Sequence, residues 1–265
     1  MPIHKATPEA YKLYLEGQTL FSIIERVHLE SAAAKFEQAT EISPEFARAW
    51  GYWGYCLAQI FVGGHAKQFE VSELMDTAER YALNAVRLDD TDYANHWDLA
   101  FVLLNRGRDS EAIDEYEYAL KLFDNETDKL DRRNDLLVEM AEAFVYRGDA
   151  KRALELLDRA IRIPDWYRWI RSWADFNAQD YQGAIQQINA MHKKPGESGY
   201  VPDIQLLLAV AYACNEEPEA AQAALKRLKD LRPDWTLARE LERNPFVKAD
   251  DRKRWEDGMK KAKFS

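Results

Sequence analysis

The 265-residue sequence is poor in the residues that hold metals or disulfides. Its two cysteines, Cys56 and Cys214, lie far apart and form no Cys-x-x-Cys pair, so neither a disulfide framework nor a thiolate metal site is indicated. The five histidines show no His-x-x-x-His or His-Glu-x-x-His spacing, so no zinc site is predicted. A phosphate-binding loop, a nucleophile elbow and a glycine-rich dinucleotide signature are also missing. We therefore predict no metal, no cofactor, no catalytic residue and no enzymatic activity.

Basic residues are in deficit, with 36 Lys and Arg against 46 Asp and Glu, which gives a net charge of −10. The average field of such a protein repels nucleic acid and anionic membrane surfaces. Long apolar runs are missing as well, since the longest, from Leu206 to Cys214, is far too short to cross a bilayer. The N-terminal residues show no secretory signal pattern. We expect a cytoplasmic protein that binds neither nucleic acid nor membranes.

Glycine and proline are scarce, with 11 and 9 residues. Disordered and low-complexity chains are rich in these residues, so their scarcity argues for regular structure throughout the chain. Apolar residues make up 47% of the sequence, which is enough to bury a core in a chain of this length. The composition therefore favours a globular, mainly helical protein.

One sequence frame recurs along the chain. It consists of Ala, three residues, a bulky residue, two residues, a small or apolar residue, four residues, and then Pro or Asp; the clearest copy is Ala32, Phe36, Ala39 and Pro44. Successive first alanines are separated by 46, 34, 41, 31 and 37 residues. The copies begin at Ala32, Ala78, Ala112, Ala153, Ala184 and Ala221.

A second helical pattern precedes each alanine frame. It is clearest in Trp50-x-x-Trp53-Gly54-x-x-Leu57. The two patterns are joined by turns whose central residue lies five positions before the alanine, where glycine can adopt the left-handed conformation that ends a helix. These turn residues are Gly107, Gly148, Gln179 and Glu216. In helix order, register and turn, the chain resembles tetratricopeptide repeats, whose period is about 34 residues.

The resemblance implies an all-α fold, a right-handed α-α superhelix of about six helix-turn-helix repeats with a C-terminal capping helix. We expect one solenoid domain over residues 1–265. Solenoids need a terminal helix with a polar outer face to cover the last apolar surface. The predicted repeats are 9–44, 45–90, 91–126, 132–164, 165–196 and 201–234, and the predicted capping helix is 249–263.

A glycine in a helix costs about 1 kcal/mol relative to alanine, so Gly54 calls for a packing reason. We expect Gly54 to lie where the first helix of its repeat crosses the second, with Trp50, Trp53 and Leu57 facing that crossing. Tyr52, Tyr55 and Gln59 then point the other way.

A narrower resemblance covers residues 9 to 262. The segments FEQATEISPEFARAWGYWGYCLA, PDWYRWIRSWADFNAQDYQGAI and ALKRLKDLRPDW, followed by NPF, are similar to the C-terminal tetratricopeptide domain of bacterial class III adenylate or guanylate cyclases and of some winged-helix regulators. No cyclase or DNA-binding domain is present in this chain. The resemblance therefore implies an interaction domain and supplies no catalytic residues.

In tetratricopeptide proteins, the second, fifth, ninth and twelfth positions of each first helix line a concave groove. In this chain the candidate groove residues are aromatic in the N-terminal half and charged in the C-terminal half. The lysines, arginine and asparagines that clamp a terminal carboxylate in chaperone-binding members are replaced, so a Glu-Glu-Val-Asp tail is not the expected ligand. The candidates are Tyr14, Gln18, Tyr52, Tyr55, Gln59, Trp97, Phe101, Asn105, Glu142, Arg168 and Arg171.

The preferred hypothesis is a scaffold or adaptor that binds a peptide or a partner's helix in this groove, with aromatic anchors and with Arg168 and Arg171 meeting acidic groups. Exposed Tyr and Trp are usual interface anchors. In a simpler interpretation the same aromatics pack on neighbouring helices. The alternative function is a small-molecule sensor whose long second-repeat loop, near His65, closes over an aromatic pocket. Self-association through the groove or a solenoid end is left open.

Overall fold

The computed structural model describes residues 6–23, 26–62, 71–123, 130–160, 168–191, 201–242 and 248–262. These ranges form α-helices and contain no β-strand. The chain divides into two compact units, Met1–Leu136 and Leu137–Ser265. The helices are α1 (Pro8–Phe21), α2 (Arg26–Ile42), α3 (Ala47–Val62), α4 (Val71–Leu88), α5 (Tyr93–Asn105), α6 (Asp109–Phe123), α7 (Leu130–Arg147), α8 (Ala150–Arg159), α9 (Arg168–Asn177), α10 (Tyr181–Asn189), α11 (Val201–Cys214), α12 (Pro218–Leu231), α13 (Leu237–Glu242) and α14 (Ala249–Lys261).

Successive helices pack in pairs. In the first unit α1 packs against α2, α3 against α4, and α5 against α6; in the second unit α9 packs against α10 and α11 against α12. Helices two places apart also touch, as α3 does with α5 and α9 with α11. We call the odd-numbered helices α1 to α11 the A helices and the even-numbered helices α2 to α12 the B helices. This pairing confirms the predicted all-α fold of the α-α solenoid class.

The crossing of α3 with α4 explains the glycine at position 54. A Cβ atom there would lie 2.6 Å from the backbone oxygen of Ala78 and 3.1 Å from the backbone nitrogen of Ala82. Trp53 stacks on Tyr81 of α4, with ring centroids 4.1 Å apart. The small residue therefore lets the two backbones approach, as predicted, and the tryptophan faces the B helix.

The predicted turn residues all have left-handed backbone conformations. The φ angles are +74° for Gly107 and +78° for Gly148, with +66° for Gln179 and +62° for Glu216. Each turn also repeats one hydrogen bond, in which the amide that follows the left-handed residue donates to a carbonyl five residues earlier, as Arg108 does to Leu103 at 3.0 Å. This is the Schellman arrangement that ends a helix. The spacing rule therefore located all four turns correctly.

Replacing Gln179 or Glu216 by glycine is expected to raise the free energy of unfolding by about 1 kcal/mol. A side chain in the left-handed region costs about 1–2 kcal/mol, and the greater freedom of glycine in the unfolded chain cancels part of the gain. Urea denaturation followed by circular dichroism measures the change. Gly107→Ala is the reverse test, because no atom lies within 4 Å of the added methyl group. The stability lost by Gly107→Ala is therefore the cost of the left-handed backbone conformation. Gln179→Gly or Glu216→Gly variants less stable than the parent would contradict the expected cost of a side chain in that conformation.

The C-terminal helix α14 packs on A helices of the second unit. Trp255 and Met259 are fully buried. The Trp255 ring lies 4.6 Å from the Trp173 ring of α9. At Gly258 a Cβ would lie 2.5 Å from Val210 Cγ1 of α11. The helix therefore covers apolar surface of both α9 and α11.

Most of the predicted second-repeat loop, including His65, falls on residues 63–70, which lie outside the described residues. Helix α4 begins at Val71, so the last part of the predicted loop is helical. Within the described ranges, no helix combines the length and apolar character needed to cross a membrane.

Candidate functional site

The predicted aromatic groove residues of the first unit lie side by side on three A helices. Tyr14 of α1 meets Tyr52 of α3 edge to face, with ring centroids 5.5 Å apart. Tyr55, one turn further along α3, stacks on Phe101 of α5 at 4.3 Å. The structure thus brings these four rings together into one row, which we call the aromatic row.

The members of the aromatic row differ in exposure. Tyr14, Tyr55 and Phe101 are 3%, 8% and 5% exposed, so these three rings pack mainly between A helices. Tyr52 is half-buried, as is Trp97 of α5. The interpretation in which the aromatics pack on neighbouring helices therefore describes three of the rings. Tyr52 and Trp97 are the candidate anchors that a ligand can reach.

The polar candidates of this unit attach to the same row. Gln18 is half-buried, and its side-chain amide donates to the Tyr14 hydroxyl oxygen at 2.9 Å. Gln59 is buried, and its amide lies 3.4 Å from the Tyr55 hydroxyl. Asn105 is half-buried and donates to the Phe101 backbone oxygen at 2.8 Å. Gln18 and Asn105 keep solvent access, whereas Gln59 belongs to the packed layer.

An ion pair ties α3 to the start of α5. The Arg48 guanidinium contacts both carboxylate oxygens of Asp92, through Nε at 2.5 Å and Nη2 at 2.9 Å. Asp92 also caps α5 by accepting a hydrogen bond from the Ala94 amide at 3.1 Å. The Arg48 guanidinium lies 5.7 Å from the centre of the Tyr93 ring. This arrangement fixes Tyr93 at the N-terminal end of α5.

A second arginine, Arg132 of α7, also contacts Tyr93. Its Nη1 lies 3.4 Å from the Tyr93 hydroxyl. Its charge acts on Tyr52 and Tyr14 as well, so four A helices contribute to this region. Asp98 of α5 is buried, and its carboxylate fills the space that a side chain at position 51 would need. A Cβ atom at Gly51 would lie 2.5 Å from Asp98 Oδ2. We call Gln18, Tyr52, Tyr93 and Arg132 the polar cluster.

The hydroxyl groups of Tyr14 on α1 and Tyr52 on α3 remain protonated near neutral pH. Burial raises the pKa of Tyr14 well above its usual range, and the charge of Asp98 raises it further. Burial raises the pKa of Tyr52 too, again with Asp98 as a second cause, whereas Arg132 lowers it. The hydroxyl group of the half-buried Tyr52 can therefore donate a hydrogen bond to an acceptor on a ligand.

The second unit contains the other predicted groove residues, beginning with Glu142 of α7. Glu142 is half-buried and accepts a hydrogen bond from the Tyr146 hydroxyl at 2.6 Å. Burial raises the pKa of Glu142 to about 7; the Tyr146 hydrogen bond opposes the shift and the charge of Glu139 adds to it. A substantial fraction of this carboxyl group is therefore protonated at neutral pH.

Replacing Glu142 by glutamine is expected to stabilise the second unit at neutral and higher pH. The pKa of this group is about 7 in the folded protein against an ordinary 4.5, so the folded state holds a proton that the unfolded chain releases. Stability then falls as pH rises from about 4.5 to about 7. The variant should gain about 1–3 kcal/mol near pH 8 and nothing near pH 4. Urea denaturation at the two pH values measures this, and a gain equal at both would contradict it; the exposed Glu155→Gln serves as control.

The two arginines predicted to meet acidic partner groups already have contacts within the second unit. Arg171 Nη1 binds Asp158 at 2.5 Å, and its Nε lies 3.6 Å from Asp175. Burial raises the pKa of Asp175 to about 6, and the Arg171 charge opposes this shift. Arg168 donates to Gln187 at 3.2 Å. A ligand that recruits Arg171 must therefore compete with Asp158.

His96 is a structural residue of the first unit. Its Nδ1 lies 2.6 Å from Glu115 Oε2, and its Nε2 lies 2.9 Å from the Asp90 backbone oxygen. Burial lowers the pKa of His96, but the hydrogen bond to Glu115 and the Asp90 carbonyl outweigh it and leave the pKa raised. Over the described part of the chain, no group of three or more His, Cys, Asp and Glu side chains could hold a metal ion.

Sequence reasoning missed Arg132, Tyr93 and Asp98. The groove positions were predicted separately within each repeat. The contact between Arg132 of α7 and Tyr93 of α5 joins two repeats, so such a prediction could not find it. One signal was present: Gly51 occupies a groove position without a side chain, and such a gap leaves room for Asp98 of the adjacent A helix.

Paired helices, left-handed turns and contacts between A helices define a helical repeat protein with the α-α solenoid fold. No protein-family model matches the sequence, and no curated protein matches it. PilF of Pseudomonas aeruginosa is similar in structure, with a TM-score of 0.55 and 17% identity over 85% of this chain and 95% of that chain.

YrrB, described as a TPR protein with an unusual peptide-binding site, has a TM-score of 0.47 and 21% identity, covering 78% of this chain and 97% of that chain. PilF and YrrB are both tetratricopeptide proteins. The PilF similarity supports the fold alone. The narrower resemblance to cyclase and winged-helix regulator domains stays a prediction.

Proposed function

We propose that this chain is a non-enzymatic interaction module that binds a peptide or a partner's helix along the A helices of its first unit. The supporting observation is the aromatic row on α1, α3 and α5, in which Tyr52 is half-buried beside rings that are already packed. Trp97, four residues before Phe101 on α5, is half-buried too. Aromatic side chains supply large contact area at low entropic cost. Such a module binds as a scaffold or adaptor does.

Packing of the aromatic row supports this proposal in a second way. The rings of Tyr14 and Tyr55 are held by neighbours from other parts of the first unit, including Phe46, in the turn before α3, at 5.1 Å from Tyr14 and Phe21 of α1 at 5.3 Å from Tyr55. Side chains that are ordered before binding lose little entropy when a ligand arrives. The surface is therefore preorganised, and the buried rings support the accessible ones.

The ligand class follows from chemistry and charge. A net charge of −10 disfavours nucleic acid and anionic membranes as partners. A row of aromatic rings with interleaved amides suits a polypeptide, whose backbone accepts and donates hydrogen bonds beside apolar side chains. We therefore propose a protein or peptide partner, met in the cytoplasm. The second-repeat loop, on which the sensor alternative depends, lies outside the described residues.

Panning a library of random peptides against the immobilised full chain tests this function. Selected peptides are resynthesised with a fluorophore, and their dissociation constants are measured by anisotropy. Trp97→Ala is expected to weaken binding about tenfold or more, as truncation of an interface anchor does. Its matched control is Tyr118→Ala, which removes a 42% exposed ring from the B helix α6.

Circular dichroism must show that both variants keep their helical content. Binding that is unaffected by Trp97→Ala, or reduced equally by the two variants, would place the ligand elsewhere. A library that gives no specific binder would overturn the proposed function.

A further inference from the structure

Helix α14 lies across the ends of successive A helices. At its N-terminal end, Lys248 Nζ donates to the backbone oxygen of Gly148, the residue after α7, at 2.6 Å. In its middle, the Trp255 ring packs on Trp173 of α9, with centroids 4.6 Å apart. One turn further, a Cβ at Gly258 would lie 2.5 Å from a side-chain atom of α11. We call the places that α14 contacts on these three helices the crossing surface: Gly148, Trp173 and Val210.

The length of α14 agrees with this crossing. A helix rises about 1.5 Å per residue, so the residues from Lys248 to Ala262 span about 21 Å. Packed helices lie about 8–10 Å apart, so three neighbouring A helices span about 16–20 Å. A capping helix that merely continued the solenoid would lie beside the last hairpin and would not reach α7. An amphipathic helix laid across a surface that other helices build is instead a recurring mode of protein recognition.

The side chains that α14 buries repeat at helical spacing. Trp255, Gly258, Met259 and Ala262 are buried, and they occupy positions i, i+3, i+4 and i+7 of one face. Only a small residue fits at the second of these positions, because a Cβ there would meet Val210 Cγ1 at 2.5 Å. The crossing surface therefore accepts a large aromatic residue, a small residue three positions later and an apolar residue at the fourth.

The N-terminal end of α14 contributes little to its docking. The N-cap residue, Lys248, makes no side-chain capping hydrogen bond. Within the described ranges, the buried Oδ2 atom of Asp251 accepts no hydrogen bond, so its desolvation is not compensated. A helix of 13 residues is also marginal in water by itself, so α14 depends on the crossing surface to remain helical. A competing helix with the same anchors can therefore displace α14.

We propose that the crossing surface is a second interaction site, which binds an amphipathic helix of another protein in place of α14. The partner helix carries the anchor pattern of α14, which is a large aromatic residue, a small residue at i+3 and an apolar residue at i+4. This inference is independent of the proposed function, because the aromatic row lies in the first unit and these contacts lie within the second. Helix α14 and the partner exclude each other, so binding requires that α14 leave the surface.

The test adds a fluorescent synthetic peptide of residues 247–265 to the full-length chain and measures the dissociation constant by anisotropy. The parent is expected to bind this peptide weakly, because its own α14 competes. Trp255→Ala in the chain should bind the peptide about tenfold or more tightly than the parent does, since a larger fraction of molecules then has an open surface. Adding Trp173→Ala should remove this gain, because it deletes the ring that the tryptophan of the peptide contacts.

Met259→Ala is a milder variant that should give a smaller gain, and it decides the test if circular dichroism shows that Trp255→Ala does not fold. Lys253→Ala is the matched control on α14, because this side chain is 72% exposed, and it should bind the peptide as the parent does. Folded anchor variants that bind the peptide no more tightly than the parent would overturn the proposal. A parent dimer by light scattering that becomes monomeric in Trp255→Ala would also overturn it, because the occupant would then be α14 of a second copy.

Discussion

Replacing Trp255 by alanine is expected to lower the free energy of unfolding of the second unit by about 3–5 kcal/mol, the usual cost of deleting a buried tryptophan. The side chain has no exposed surface. Its ring lies 4.6 Å from the Trp173 ring and 5.5 Å from Phe176, which it meets edge to face. Helix α14 is mostly polar, and Trp255 is the largest apolar side chain that it buries, with Met259 as the other.

The stability lost by Trp255→Ala should be confined to the second unit. Hydrogen exchange read by mass spectrometry is expected to show faster exchange in α9, α11 and α14, with the first unit unchanged. Urea denaturation of the whole chain gives the magnitude. Lys253→Ala is the control on the same helix, since this side chain is 72% exposed and its contact is an exposed pair with Asp257. A Trp255→Ala variant as stable as Lys253→Ala would show that α14 is held by other contacts.

The helix pairs and their turns could be predicted from the sequence because each repeat encodes them locally. The alanine frame marks where a B helix crosses its A helix, and the turn residue five positions earlier must take a left-handed conformation for the chain to reverse. Gln179 and Glu216 follow this rule although neither is glycine, with φ angles of +66° and +62°. The geometry of the hairpin therefore overrides the conformational preference of the residue.

The exposure of the groove residues could not be predicted in the same way. Position within a repeat tells which face of an A helix a residue occupies, but not how closely the next A helix approaches that face. Tyr55 was expected to line an open groove, and it is 8% exposed because Phe101 stacks on it at 4.3 Å. That contact joins two repeats, whereas the repeat pattern describes one.

The polar cluster escaped prediction for a related reason. Arg132 comes from α7, Tyr93 from α5 and Tyr52 from α3, so its members are brought together only when successive A helices stack. The sequence shows three separate polar or aromatic residues in three repeats.

The C-terminal helix was predicted, but the residues that hold it against the second unit were not, although Trp255, Gly258 and Met259 share one face at helical spacing.

Replacing Asp92 by alanine is expected to destabilise the first unit by about 3–5 kcal/mol, because it leaves the Arg48 guanidinium without its carboxylate in a largely buried place. The side chains of Arg48 and Asp92 are 16% and 1% exposed. Burial alone would lower the pKa of Arg48, and the hydrogen bonds and charge of Asp92 raise it above its ordinary value. The substitution also removes the cap of α5, which contributes about 1 kcal/mol of the loss.

Asp92→Asn separates these two effects, since asparagine still caps a helix but no longer balances the guanidinium. It should lose less than Asp92→Ala. The double variant Arg48→Met, Asp92→Asn should recover most of the remaining loss, because a neutral, packed pair replaces a broken ion pair. Urea denaturation of the parent, Arg48→Met, Asp92→Asn and the double variant forms a double-mutant cycle that gives the coupling between the two residues. Losses that simply add would show that the pair contributes no coupling.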